Sequence, residues 1–199
     1  MSKKIIFTEN QIKTIMGEAI DELNLYHGTH ADFDNFDFAY LSSGWGQQAY
    51  GYGFYLTDDY EAGKEYSLGG KVYTVQVPDK GYLSSTSVTM NDKKKIANAL
   101  FKYYTEDNED TKMSYPDAQT KKDFWDYEVS CILRCVDGLL VYGTVSSILG
   151  SDKEASEFLH NMGYKGLKIL NKNETYGIKN MTYVIFDAND MKIINKEEL

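Results

Sequence analysis

The chain has 199 residues, 42% of them hydrophobic and 26% charged, with two prolines and no Ser/Gly tract. That is the size of one ordinary domain, 1–199, able to fold without staples, and it excludes a disordered or low-complexity polypeptide. A net charge of −9 excludes duplex DNA as a simple electrostatic partner, though not a local basic groove, and no apolar run is long enough to span a membrane.

The N-terminal MSKKIIFTENQ turns polar too early for a signal sequence, and the only cysteines are Cys131 and Cys135, so the expectation is a reduced, cytoplasmic protein. Residues 8–23 read as a helix: Thr8 and Gln11 form a capping box, and Ile12, Ile15, Met16, Ala19, Ile20 and Leu23 make one apolar stripe. Leu25 to Thr29 is a short strand ending at glycine, and residues 30–53 form an ordered loop of glycines and aromatics. Phe54 to Thr57 is a second strand, after which Asp58 caps a helix running to Tyr66, and Val72 to Val77 is a third strand. Asn91 to Tyr104 is helical, Thr105 to Ala118 an acidic loop, and Gln119 to Val136 a helix with Cys131 and Cys135 as buried thiols on its apolar face. Ser151 and Glu154 open a helix that ends at Gly163, and strands follow at Tyr164 to Leu170, Tyr183 to Phe186 and Met191 to Ile194. Short strands at both ends, helices between and no βαβ alternation give an α+β fold.

Phosphate-binding, nucleophile-elbow and dinucleotide motifs are missing, since Gly51-Tyr52-Gly53 precedes a strand instead of opening a helix. Three histidines, His27, His30 and His160, supply metal chemistry poorly, so no metal is expected. What remains is a pair of segments: Leu25-Tyr26-His27-Gly28-Thr29, and Tyr50-Gly51-Tyr52-Gly53-Phe54-Tyr55-Leu56-Thr57 followed by Tyr66. Together they resemble the ADP-ribosyltransferases of the diphtheria-toxin and poly(ADP-ribose) polymerase kind, which carry Y/W-H-G-S/T, then G-x-G-x-Y-F/L, then a tyrosine eleven residues on, the separation of Tyr55 and Tyr66. Late in the chain, Gly163-Tyr164-Lys165-Gly166-Leu167 and Met181-Thr182-Tyr183-Val184-Ile185-Phe186-Asp187 resemble the G-Y-D-G-I and E-Y-V-V-F-D segments of bacterial and phage members. The resemblance covers residues 25–194, with the middle helices undiagnostic.

The resemblance implies two small, mostly antiparallel sheets around a central NAD+ cleft, with helices outside. It also implies mono-ADP-ribosyl transfer from NAD+, as substrate, to a macromolecular acceptor, by a toxin or effector of bacterial or phage setting. His27 would hold a ribose, Gly28 the nicotinamide carboxamide past its absent Cβ, and Tyr55 and Tyr66 would sandwich the pyridinium, with Thr29 and Gly53 lining the site. The loop Ala39 to Tyr52 would cover the adenosine side through Gln47 and Gln48. The family's catalytic Glu is replaced by Thr182, which holds a hydroxyl but supplies no charge beside an oxocarbenium-like centre. Glu174, in the loop Asn171 to Gly177, is either its substitute or a solvated carboxylate. The alternative is a catalytically inactive NAD+ or ADP-ribose binding protein, or a structural protein that retains the fold. An RNA 2′-phosphotransferase of the same fold would need more than the single arginine, Arg134.

Overall fold

A computed structural model of the chain describes residues 22–41, 48–107, 114–173 and 178–199. It is a mixed α+β structure built on a seven-stranded sheet. In chain order the strands are β1 (Glu22–Thr29), β2 (Phe54–Thr57), β3 (Lys71–Pro78), β4 (Tyr82–Ser84), β5 (Gly166–Asn173), β6 (Ile178–Ile185) and β7 (Lys192–Glu198). They lie in the order β4-β5-β6-β2-β1-β3-β7, antiparallel except for β4 on β5.

Where two small sheets are expected, the strands form one ladder, but its halves are barely joined. β1 pairs with β3 over eight residues and β2 with β6 over four, whereas β1 meets β2 at Tyr26↔Thr57 alone among the described residues. Side chains alternate across a strand, so each half has two faces. On one face Leu25, Phe54, Leu56, Tyr73, Val75, Val77, Tyr183 and Ile185 form a core beneath the Phe33–Leu41 segment. On the other, Leu167, Ile169 and Val184 pack against the helices.

Those helices are α1 (Tyr60–Ser67), α2 (Met90–Lys102), α3 (Ala118–Phe124), α4 (Cys131–Arg134), α5 (Gly138–Leu149) and α6 (Asp152–Asn161). Each of the longer ones starts where a side-chain oxygen accepts an otherwise unpaired amide. Asp59 accepts from Ala62 N, Thr89 from Asp92 N, Asp137 from Leu140 N and Ser151 from Glu154 N. Gly150, at φ 79°, closes α5 in the left-handed conformation.

Several expectations need correction. Residues 8–21 of the expected first helix lie outside the described residues, and Glu22 and Leu23 belong to β1, where they pair with Pro78 and Val77. Asp59, not Asp58, caps α1, because the Asp58 carboxylate accepts from Met181 N at 2.7 Å. The expected single helix from Gln119 to Val136 starts at Ala118, passes through a π-helical turn at Trp125–Val129 and ends at α4. Its thiols are half-buried instead of buried: Cys131 Sγ accepts from Arg134 Nη2 at 3.0 Å, and Cys135 Sγ lies 3.5 Å from Thr144 Oγ1. Asn171 belongs to β5 and not to a loop. α5 and β4 are additions, α5 because GLLVYGTVSSIL has no charged residue and only Thr144, Ser146 and Ser147 to mark its outer face. No helix among the described residues is long and apolar enough to cross a membrane.

Candidate functional site

The sheet is interrupted just beyond Tyr26↔Thr57. A continued ladder would set Gly28 opposite Tyr55; instead the His27 ring enters the gap, and its Nδ1 lies 2.9 Å from the Tyr55 carbonyl oxygen. A carbonyl only accepts, so Nδ1 carries the proton and Nε2 keeps its lone pair. Phe36 meets the imidazole edge-on at 5.3 Å and Phe33 lies at 6.2 Å. Burial among these groups lowers the His27 pKa, partly offset by the bond to Tyr55, so the ring is neutral at pH 7.

Tyr55 lies on the opposite, helix-facing side of β2. Its hydroxyl donates to the Gly51 carbonyl at 3.0 Å and accepts from the Tyr50 amide at 2.9 Å, while the Tyr50 ring stacks 6.4 Å away at 23°. Burial pushes its pKa up to about 12. With both hydroxyl roles used and the proton held this firmly, Tyr55 offers a ring surface and no acid–base chemistry.

Thr182 shares that face. Tyr55 pairs with Val184 and Thr57 with Thr182, so Tyr55 and Thr182 are diagonal neighbours, about 7–8 Å apart. Thr182 Oγ1 accepts from Asn171 Nδ2 at 2.7 Å, the same amide nitrogen donates to Asn180 Oδ1 at 3.0 Å, and the Tyr50 hydroxyl reaches Asn171 Oδ1 at 3.4 Å. Tyr50, Asn171 and Asn180 are the members of this cluster that sequence reasoning does not assign. Asn171 and Asn180 become visible only once β5 and β6 are paired in register.

Gly28 is required by α1: a Cβ there would sit 1.8 Å from Gly63 O and 2.6 Å from Ser67 N, so its bare side faces a helix and not an incoming carboxamide. Gly53 is likewise bare toward β6, where a Cβ would meet Ile185 O at 2.5 Å. Thr29 Oγ1 accepts from Ala31 N at 3.1 Å, turning the chain at the end of β1. Tyr66 projects from α1 next to Ser67 and is 74% exposed, making no ring contact with Tyr55 among the described residues. Gln48 is half-buried; Gln47 and Glu174 lie outside the described residues. Among the described residues no group of three or more His, Cys, Asp or Glu is arranged to hold a metal ion.

The described residues thus bring a neutral imidazole to the break between β1 and β2, and an anchored aromatic ring and a hydroxyl–amide cluster to the helix-facing side of the sheet. These groups suit binding and orienting a flat, hydroxyl-bearing ligand. Comparison with known protein families, curated proteins and solved structures returns no match.

Proposed function

We propose that the gap between β1 and β2 binds the nicotinamide–ribose end of NAD+, and that the protein transfers ADP-ribose to a macromolecular acceptor. The observation that carries this reading is the meeting of the His27 ring with the Tyr55 backbone at the break between β1 and β2. The same interruption supports an ADP-ribosyltransferase-like split sheet as the finer description of the fold. In this reading His27 Nε2 accepts from a ribose hydroxyl, the Tyr55 ring supports one face of the nicotinamide, and Tyr66 closes over the other when ligand enters. The nicotinamide–ribose bond breaks as an oxocarbenium-like centre forms, its pair of electrons leaving on nicotinamide, and the acceptor attacks the exposed carbon. Rate enhancement comes from holding these groups in place.

A second reading, NAD+ or ADP-ribose binding without turnover, is favoured by one observation: Thr182, at the position to which the resemblance assigns a carboxylate, carries an uncharged hydroxyl whose oxygen is engaged by Asn171 at 2.7 Å. Calorimetric titration with NAD+, followed by measurement of released nicotinamide, separates the two. Binding with release supports the transferase; binding without release supports the binding protein; no binding refutes both.

A further inference from the structure

We infer that Tyr142 and Ser156 are positioning residues for the candidate site, seating the 50–53 loop that in turn holds Tyr55. Tyr142, on α5, is 2% exposed, and its ring stacks 5.8 Å from Phe186. Its hydroxyl accepts from the Tyr52 amide at 3.0 Å and donates to the Asp152 carbonyl at 2.9 Å. Ser156 Oγ, 3.1 Å from that hydroxyl, donates to the Tyr52 carbonyl at 2.7 Å. Both polar groups of one loop peptide residue are therefore fastened to α5 and α6.

The loop also rests directly on the Tyr142 ring. Gly51 has φ 143°, and a Cβ there would lie 2.6 Å from the ring carbons, so only glycine lets the backbone come so close. The adjoining groups, Tyr50 N–H and Gly51 C=O, are the two partners of the Tyr55 hydroxyl. Contact runs from Tyr142 and Ser156 to the Tyr52 backbone, along the loop, and on to Tyr55.

Amide hydrogen exchange of the 15N-labelled protein, for wild type, Tyr142→Phe and Ser156→Ala, tests this without ligand. The expected result is exchange about tenfold faster at both Tyr52 and Tyr50, with Val145 in α5 keeping its wild-type protection. Acceleration at Tyr52 alone would overturn the inference, because the Tyr55 contact would then be independent of the clamp. Equal acceleration at Val145 would overturn it too, leaving Tyr142 a core residue only. If Tyr142→Phe fails to fold, Ser156→Ala, the loss of one oxygen, decides. A second arm rests on the proposed function: NAD+ affinity should fall about tenfold in both variants. Unchanged affinity beside faster Tyr50 exchange would overturn the role in the site. Should wild type bind no NAD+, the functional reading fails, and the exchange data still decide the positioning.

Discussion

Replacing Gly28 by alanine tests whether α1 is seated on the end of β1. The added Cβ would lie 1.8 Å from Gly63 O, 2.6 Å from Ser67 N and 3.0 Å from Gly63 C, all of them backbone atoms of one helix. No side-chain rotation relieves such contacts. Bringing the closest back to 3.0 Å requires α1 to withdraw by about 1.2 Å, and forced overpacking of this kind costs about 3 kcal/mol. For a domain of this size that lowers Tm by about 6–12 °C. Thermal melts followed by circular dichroism measure it, with Gly143→Ala as the matched control. Gly143 lies inside α5 with nothing within 4 Å of its Cβ position, so alanine there should stabilise by about 0.5–1 kcal/mol. A Gly28→Ala protein melting within about 2 °C of wild type would refute the placement of α1. A lost NAD+ response in this variant reports the displaced helix and not a lost carboxamide contact.

Because burial lowers the His27 pKa in the folded state, the unfolded chain binds more protons just below the ordinary value of 6.5, and stability falls as pH drops through that window. His27→Gln keeps a donor for Tyr55 O and should remove this part of the acid loss; urea titrations of both proteins at pH 7 and pH 5 that show the same difference would contradict it. Tyr66→Ala should leave stability within about 0.5 kcal/mol, since the ring is 74% exposed, yet weaken NAD+ binding; unchanged calorimetric affinity removes Tyr66 from the site. Thr182→Glu places a carboxylate beside Asn171 Nδ2 and should raise nicotinamide release about tenfold, one charge-assisted contact being worth about 1.5–3 kcal/mol. Equal release with NAD+ binding intact would show that position 182 does not face the reacting centre.

Strand β2 was legible to the residue, since Phe54 to Thr57 is apolar, β-branched or aromatic and bounded by Gly53 and Asp58. β3 showed through the β-branched and aromatic residues of Val72 to Val77, and α6 through its Ser151 cap. What could not be read is what pairing decides. The gap beside His27 depends on β1 leaving β2 after one pair, and nothing in either strand's own residues marks that point. Gly28 illustrates the same limit: the sequence shows that a side chain is missing, but only the packed α1 shows which neighbour requires it. The cluster of Asn171, Asn180 and Thr182 joins strands through their register, and Tyr142 acts from a helix whose mostly apolar, uncharged sequence carries only a weak periodic signal.

The strand order also sets a schedule for synthesis. β2 waits for β6, which supplies Thr182 to Thr57, and β3 waits for β7, which supplies Glu198 to Lys71. Each wait is about 125 residues of chain, or about 6–25 s on a ribosome at ordinary elongation rates. The β1–β3 pair can form early, but for that interval the far edge of β3 and both edges of most of β2 present unpaired amides and carbonyls next to apolar side chains. Such edges invite pairing with other chains. The nascent chain is therefore most exposed to misassembly before β5 to β7 emerge, and a chaperone that covers short aromatic strands would act on β2 and β3 in that window.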